Sequence, residues 1–194
     1  MENVDVTGLE QKIIHDLKSR IDVFLDFPES GVQFLDTFSL LNSPDVAEMV
    51  YNMMDKLFEP ESYDMIVAPE SRGFGFGQVM ARAQKKGFLP ARKPGKLPGE
   101  TIGIDYELEY GSTRLEMHSG VLSAGTRVLI VDDLMATGGT ARALVDLLEN
   151  QLMCTVVGVA TLISLDYLDR VDFPDGCELR SVMHYDEPPL TETE

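Results

Sequence analysis

Three stretches of this 194-residue chain are apolar over nearly their whole length, and they constrain the fold more than any other feature. They are Asp64–Pro69, Arg127–Val131 and Thr155–Ile163. Helical patterns lie between them, at about residues 75–86 and 139–151. Strands that are apolar on both faces and alternate with helices are typical of a parallel sheet with helices on each side. The sequence therefore predicts an α/β fold with a mostly parallel central sheet.

Two amphipathic helices are predicted before the first of these strands. Apolar residues recur every fourth position near the start of the chain, at Leu9, Ile13, Leu17, Ile21 and Leu25. This spacing predicts a helix over residues 8–26 that ends at Phe27-Pro28. Ser43-Pro44 matches an N-cap followed by proline in the first helical turn. The buried face of that second helix is expected to carry Val46, Met49, Val50, Met53 and Leu57.

The most informative motif is the run VLIVDDLMATGGT, which covers Val128–Thr140. An apolar strand leads into Asp132 and Asp133, and a short turn of small residues precedes a helix. Ligands of open parallel sheets bind at the carboxyl ends of the strands, where these acids fall. Consecutive backbone N–H groups at a helix N-terminus form a cradle for phosphate. The predicted cradle consists of Ala136, Thr137, Gly138, Gly139 and Thr140.

The paired acids need an explanation of their own, because carboxylates beside a phosphate site repel the ligand. A ribose whose hydroxyls meet Asp132 and Asp133, with Mg²⁺ nearby, satisfies this requirement. The motif lacks the Gly-Lys-Ser/Thr ending of a P-loop and the GxGxxG of a dinucleotide-binding fold. An ordinary strand-to-helix turn capped by an aspartate is the structural alternative.

Charge is distributed very unevenly along the chain. Sixteen Lys and Arg face 33 Asp and Glu, so the net charge of −17 disfavours nucleic acids and anionic membranes as partners. Residues 71–99 contain no acidic residue and seven basic ones: Arg72, Arg82, Lys85, Lys86, Arg92, Lys93 and Lys96. This segment predicts either a local anion site or a solvated basic helix face followed by a basic loop.

Compartment and domain limits follow from simpler features. Cys154 and Cys177 form neither a CxxC pair nor a disulfide framework, and no apolar run is long enough to span a membrane. The first residues lack the features of a signal peptide, so we expect a cytoplasmic protein. One domain is expected over residues 1–186, followed by an acidic, disordered tail at 187–194. Residues 93–120 are rich in glycine and predict a long mobile loop or a hairpin.

Three further motifs accompany the Asp-Asp loop in a characteristic order. They are Glu70–Phe74 (ESRGF), Arg92–Gly99 (RKPGKLPG) and Leu108–Gly111 (LEYG). With these four motifs the chain resembles the type I phosphoribosyltransferases and, among them, the adenine phosphoribosyltransferases. The resemblance covers about residues 26–165.

This resemblance implies the type I phosphoribosyltransferase fold, with a small N-terminal hood at about 26–42 and a flexible catalytic loop at about 97–118. It implies transfer of a phosphoribosyl group from 5-phosphoribosyl 1-diphosphate (PRPP) to adenine, which gives AMP and diphosphate. Mg²⁺ is expected to arrive with PRPP near Asp132 and Asp133, with no all-protein metal site. The resemblance also implies a homodimer with small-molecule substrates.

The family's roles transfer to matching positions of this chain. Residues 136–140 are expected to bind the 5′-phosphate, and Asp132 and Asp133 the ribose hydroxyls. The diphosphate is expected to contact Ser71, Arg72, Arg92, Lys93 and Lys96. Catalytic roles are expected for Glu109, Tyr110 and Arg72, with Glu109 assisting proton transfer or, alternatively, serving only as a solvated loop acid.

The adenine subsite is expected at Gln33, Phe34 and Leu35, where Phe34 stacks on the base and the flanking backbone groups contact its edge. A plain core aromatic is the alternative for Phe34. Family members often carry a small apolar residue at position 33 and a basic one at 35. This departure leaves open a transferase that prefers hypoxanthine or guanine. A second alternative, from another class, is a non-catalytic protein that uses the same fold to sense PRPP or a nucleotide.

Overall fold

The computed structural model describes residues 6–108 and 111–190, and its helices and strands alternate along the chain. In chain order they are α1 (Val6–Ser19), β1 (Asp22–Leu25), β2 (Gln33–Asp36), α2 (Pro44–Met54), β3 (Met65–Pro69), α3 (Gly73–Ala83), β4 (Gly87–Ala91), β5 (Thr101–Leu108), β6 (Gly111–His118), β7 (Arg127–Met135), α4 (Gly139–Asp146), β8 (Thr155–Leu165) and β9 (Glu178–Tyr185). Short 3₁₀ turns cover Thr37–Asn42 and Pro60–Ser62, and a π-helical turn at Leu147–Gln151 continues α4.

A five-stranded sheet in the order β4-β3-β7-β8-β9 forms the centre of the molecule. All neighbouring strands are parallel, with Val67 of β3 paired to Leu89 of β4 and to Ile130 of β7. The predicted α/β fold with a parallel sheet is confirmed. The two edge strands, β4 and β9, are partly exposed; β9 has no continuous apolar run, and that of β4 is only five residues long and contains a glycine and a proline.

Both faces of this sheet are covered. Leu129 and Val131 of β7 pack in a cluster with residues of α1, α2 and α3, whereas Val128 and Ile130 pack in a second cluster with α4 and the β5–β6 hairpin. Burial of each such side chain contributes about 1.5–3 kcal/mol. The middle positions of the inner strands are therefore mostly apolar up to the point where the site begins.

The first helix is shorter than predicted. α1 ends at Ser19, and Ile21 closes its last turn with a backbone hydrogen bond to the Lys18 carbonyl. The predicted helix over 8–26 is therefore wrong beyond that point: residues 22–25 form β1, which pairs antiparallel with β2. Leu25 fits the helical spacing by coincidence and is 60% exposed. Pairing of residues 22–25 with β2, rather than the helical spacing of apolar residues, decides the conformation here.

The second helix begins as predicted and buries most of the predicted face, since Val46, Met53 and Leu57 pack against the cluster that contains Val50. Pro44 is its first residue, and the Ser43 carbonyl accepts a hydrogen bond from Ala47 N at 2.9 Å. Val50 and Met54 are buried, whereas Met49 is 38% exposed. The expectation that Met49 belongs to the core is therefore wrong.

Strands β5 and β6, at residues 101–108 and 111–118, pair antiparallel, with Thr101 opposite His118. This agrees with the second of the two alternatives for the glycine-rich segment; its flexibility stays a prediction. Ile102, Ile104 and Tyr106 pack against the cluster that contains α4. No helix in the described part of the chain is both long and apolar enough to cross a bilayer.

Candidate functional site

A cleft of about 380 Å³ opens at the carboxyl ends of β3 and β7. One wall is formed by residues 69–72, at the end of β3 and just after it, together with Lys93. The other wall is formed by residues 132–141, at the end of β7 and the start of α4. Parallel strands place these segments together because their carboxyl ends meet at one edge of the sheet.

The loop between β7 and α4 is held in place from behind. Gly138 has φ +87°, and a Cβ there would lie 3.2 Å from Val171 Cγ2. The Thr137 carbonyl accepts a hydrogen bond from Val171 N at 2.9 Å. Because α4 begins at Gly139, the first N–H groups of this helix have no intrahelical acceptor and line the cleft. These donors and the helix dipole favour an anion such as phosphate.

Thr140 links this loop to the hairpin. Its Oγ1 lies 3.3 Å from the hydroxyl of Tyr106 in β5. The strand that leads toward residues 109 and 110 is thereby hydrogen-bonded to the first turn of α4. Glu109 and Tyr110 themselves lie outside the residues that the structure describes.

The two aspartates are inside β7 rather than after it, and their environments differ. Asp133 is 2% exposed; its Oδ2 accepts a hydrogen bond from Thr37 Oγ1 at 2.8 Å and lies 3.2 Å from Arg72 Nη1. Asp132 Oδ1 accepts a hydrogen bond from the backbone N–H of Asp133 at 2.8 Å. Burial, and then the neighbouring charge of Asp133, raise the pKa of Asp132 well above its usual value. Both aspartates line the cleft, and Asp133 is in addition bound to side chains of two other segments.

Arg72 joins the cleft to the N-terminal hairpin. Its guanidinium donates to the Leu35 carbonyl at 3.2 Å, pairs with Asp133 and lies over the Phe34 ring at 4.8 Å. Phe34 also makes an edge contact with Phe27, with ring centroids 5.0 Å apart. The predicted base-binding strand and the predicted diphosphate-binding arginine are thus in direct contact.

Glu70 organises the basic residues on the other side of the cleft. Its Oε2 accepts hydrogen bonds from Arg92 Nε and from the backbone N–H of Lys93, both at 3.1 Å. Arg92 also donates to the Lys96 carbonyl at 3.0 Å. Burial alone would raise the pKa of the Glu70 carboxyl, but the hydrogen bonds from Arg92 and Lys93 have the larger combined effect and lower it. Of the basic residues Arg92, Lys93 and Lys96, Lys93 lines the cleft. Arg92 instead stabilises the loop after β4 through its hydrogen bond to the Lys96 carbonyl.

The remaining basic residues of segment 71–99 lie elsewhere. Arg82, Lys85 and Lys86 are at the C-terminal end of α3, whose eleven residues separate them from the cleft by about 16 Å. Lys86 lies over the ring of Tyr63, just before β3 begins. The interpretation of the whole segment as one anion site is therefore wrong for these three residues, because a helix carries them to the opposite edge of the sheet.

Comparison with known proteins identifies this arrangement. The family model described as "Phosphoribosyl transferase domain" matches residues 36–182. The chain belongs to the phosphoribosyltransferase family. An adenine phosphoribosyltransferase of Acaryochloris marina is 46% identical over 171 residues, which cover 88% of this chain and 99% of that relative. That of Symbiobacterium thermophilum is 43% identical over 170 residues, or 88% and 99% of the two chains.

Solved structures of the family are also similar. The crystal structure of adenine phosphoribosyltransferase from Thermoanaerobacter pseudethanolicus superimposes with a TM-score of 0.84 at 40% identity, over 89% of this chain and 99% of that one. The enzyme of Saccharomyces cerevisiae, crystallised with adenine and an imino-altritol bisphosphate, has a TM-score of 0.78 at 33% identity, over 89% and 99% of the chains. The type I phosphoribosyltransferase fold is thereby confirmed.

The structure places the predicted site residues of this family member in two groups. Ser71, Arg72, Lys93 and the segment Asp132–Thr140 surround one cleft. Phe34 and Leu35 contact this group through Arg72. The side chain of Gln33 instead forms hydrogen bonds with the backbone of Leu190. The disorder expected for residues 187–194 stays a prediction, and residues 191–194 lie outside the described part.

Sequence reasoning missed two residues that shape the site. Thr37 binds Asp133 across 96 positions of sequence, and Tyr106 binds Thr140 across 34. Nothing in the sequence near Thr37 or Asp133 indicates the first of these contacts. The position of Tyr106 three residues before Glu109, on a strand with alternating apolar residues, could have indicated a contact between the hairpin and α4.

The donor set at the cleft fits a magnesium ion that arrives with its ligand. Mg²⁺ prefers oxygen ligands, keeps several waters and is usually held by one or two carboxylates together with phosphates. Asp132 and Asp133 both line the cleft, and the carboxyl group of Asp133 is also bound to Arg72 and Thr37. Within residues 6–108 and 111–190, no cluster of three or more His, Cys, Asp or Glu is placed to hold a metal.

Proposed function

We propose that this chain transfers the phosphoribosyl group of PRPP to N9 of adenine, with release of diphosphate and formation of AMP. The observation that carries this proposal is the cleft itself. It combines a helix N-terminus, an acidic strand end and two basic residues within one space of about 380 Å³. Relatives that share 40–46% of their residues with this chain are adenine phosphoribosyltransferases.

The phosphate-bearing parts of PRPP match the walls of the cleft. The 5′-phosphate accepts hydrogen bonds from the first N–H groups of α4 and from the hydroxyls of Thr137 and Thr140. The ribose hydroxyls donate to Asp132 and Asp133. The diphosphate binds Ser71, Arg72 and Lys93, with Arg92 and Lys96 in the loop beside it. Arginine suits a diphosphate because its planar guanidinium can donate two parallel hydrogen bonds.

The reaction is a substitution at the anomeric carbon. The N9 lone pair forms the new bond to C1 as the bond from C1 to the diphosphate oxygen breaks, and that oxygen keeps the electron pair. Arg72 and Lys93 stabilise the negative charge that develops on the diphosphate. The proton leaves the imidazole ring of the purine, and we assign its transfer to Glu109 with Tyr110 beside it. Bound Mg²⁺ supplies additional neutralisation of phosphate charge.

The adenine subsite lies at β2 in this proposal. Phe34 stacks on the base, and the backbone groups of Gln33 and Leu35 contact its edge. The contact between Arg72 and both Phe34 and Leu35 supports this placement, because it brings the base-binding strand next to the diphosphate wall.

A direct assay tests the proposed reaction. The full-length protein is incubated with PRPP, Mg²⁺ and either adenine, hypoxanthine or guanine, and the nucleotide formed is measured. We expect AMP from adenine at a rate far above that of either oxopurine. Preference for an oxopurine would overturn the proposed substrate, and binding of PRPP without turnover of any base would overturn the proposed activity.

We further propose a homodimer in a reducing compartment, the cytoplasm. Exposed apolar side chains at α1 and the N-terminal hairpin support self-association: Leu9, Phe24, Leu25 and Phe27. Both cysteines are free and buried, which suits a reducing compartment. Sedimentation velocity is expected to give twice the monomer mass of 21.5 kDa.

A further inference from the structure

The side chain of Gln33 is engaged by a residue far along the chain. Its Nε2 donates to the Leu190 carbonyl at 2.7 Å, and its Oε1 accepts from the Leu190 N–H at 3.0 Å. The two residues are 157 positions apart in sequence. The amide of Gln33 therefore pairs with a peptide group in the way that two β-strands pair, through one donor and one acceptor.

This contact lies on the side of β2 that faces away from Phe34. Side chains alternate along a strand, so Gln33 and Leu35 share one side and Phe34 the other. Leu35 is 2% exposed and packs in the core, whereas Phe34 contacts Arg72. The segment that ends at Leu190 therefore lies behind the strand to which we assign the base.

The segment that carries Leu190 is short and stiff. β9 ends at Tyr185, which is buried and whose carbonyl accepts a hydrogen bond from Asp166 N at 2.8 Å. Four residues separate Tyr185 from Leu190, and Pro188 and Pro189 are two of them. Proline fixes φ, so a chain with two adjacent prolines reaches from the central sheet to β2 with little loss of conformational entropy.

The N-terminal hairpin needs such support. β1 and β2 pair only with each other, over four residues each. A two-stranded sheet is marginally stable on its own. β1 is largely exposed, and Phe24 and Leu25 are 52% and 60% exposed. The position of β2 is thus set by the burial of Leu35, by Arg72 and by the bond to Leu190.

We propose that residues 186–190 brace β2 from behind and that Gln33 is a positioning residue for the base subsite. In this role the side-chain amide of Gln33 does not contact the base. It holds β2 in place, and the backbone of β2 and the Phe34 ring contact the base. The departure of position 33 from the family's usual small apolar residue is then explained by this tail rather than by a different purine. The inference rests on the proposed function for its effect on adenine, but the brace itself is independent of activity.

Four variants separate a brace from direct contact with the base. Gln33→Ala removes the amide, and truncation after Glu187 removes Leu190. Leu190→Pro removes the N–H donor at that position together with the leucine side chain and fixes φ there, while Leu190→Ala removes the side chain but keeps both backbone groups and serves as its matched control. Truncation after Thr191 keeps Leu190 and serves as the control for the shorter chain.

Steady-state kinetics measure the consequence for the base. Gln33→Ala and the truncation after Glu187 are each expected to raise KM for adenine by about threefold to tenfold, the range that one or two hydrogen bonds give. KM for PRPP is expected to change less, by about twofold at most, since Arg72 contacts β2 but the other walls of the cleft belong to other segments. The two changes combined are expected to do no more than either alone, because they remove the same contact. An effect of Gln33→Ala without any effect of the truncation would overturn the brace and assign the amide to the base.

Hydrogen exchange measures the brace without substrate. We expect the backbone amides of β2 to exchange faster in Gln33→Ala, in Leu190→Pro and in the chain truncated after Glu187 than in the two controls and the parent. Unchanged exchange in all three variants would overturn the proposal. If the protein transferred phosphoribose to no purine, hydrogen exchange would still show whether Leu190 stabilises β2. The proposed activity and the proposed brace can therefore be refuted independently.

Discussion

The phosphate cleft and the N-terminal hairpin are built in different ways. The cleft uses backbone groups of residues that are adjacent in sequence, and its loop between β7 and α4 is fixed by Gly138 and its neighbours. The hairpin is held by side chains across long stretches of sequence: Thr37 to Asp133, Arg72 to Leu35, and Gln33 to Leu190. A phosphate has the same shape in every substrate of this class, so its binding site gains from a rigid backbone. The base differs between substrates, and side-chain contacts allow its site to change by single substitutions.

Glycine substitutions in the two regions provide the strongest test of this difference. Gly138 and Gly31 both have positive φ, but a Cβ at Gly138 would lie 3.2 Å from Val171, whereas nothing lies within 4 Å of one at Gly31. Gly138→Ala is expected to displace the phosphate loop and lower kcat/KM for PRPP by about a hundredfold, since small misplacements at a reacting centre have effects of that size. Gly31→Ala is expected to cost only the backbone strain of about 1–2 kcal/mol in stability. Equal losses of kcat/KM in both variants would contradict the contrast.

Asp133 connects the two regions, so its removal is expected to affect stability as well as activity. Asp133→Asn leaves the Arg72 guanidinium without its charged partner, and we expect the free energy of unfolding in urea to fall by about 1–3 kcal/mol. Asp132→Asn is the matched control. Burial and Asp133 raise the pKa of Asp132, so its charged form is less favoured than that of an exposed aspartate, and the amide is expected to cost less stability than at Asp133 while PRPP use falls. A larger loss of stability in Asp132→Asn than in Asp133→Asn would contradict these assignments.

Asp166 tests the support behind the phosphate loop through pH. Burial disfavours its charged form, but hydrogen bonds from Ser164, Arg170 and His184 prevail and lower its pKa to about 2. A carboxyl group whose pKa is lower in the folded state stabilises the protein above its unfolded pKa of about 3.9, and this contribution is lost as pH falls toward 2.

Asp166→Asn is therefore expected to lower the free energy of unfolding by about 1 kcal/mol at pH 7, a value reduced for the partial exposure of the group. The difference from the parent is expected to shrink as the pH is lowered from 5 to 3 in urea titrations. A difference that is constant over this range would show that the charge of Asp166 has no part in holding the loop that carries Arg170 and Val171.

Local sequence signals were sufficient for the parts of the fold that are buried on both faces. β3, β7 and β8 were predicted because every position in such a strand must be apolar. The phosphate loop was predicted because a strand, a turn of small residues and a helix are contiguous in sequence. β1, β4 and β9 were missed since each is partly exposed, and the end of α1 was misplaced because Leu25 continues the helical spacing.

Contacts between distant residues were not predictable from one sequence. Nothing near Asp133 indicates that Thr37 donates to it, and nothing near Gln33 indicates a bond to Leu190. Segment 71–99 does contain seven basic residues, but the prediction that all of them surround one anion site is wrong. A charge count contains no information on which residues a helix carries to the far edge of the sheet.

The bond between Gln33 and Leu190 has a consequence for synthesis of the chain. Domains emerge from the ribosome with their N-terminal part first. β2 leaves early, but its brace is made 157 positions later. A nascent chain therefore possesses the segments of the cleft before the contact that we propose as the brace of β2 can form.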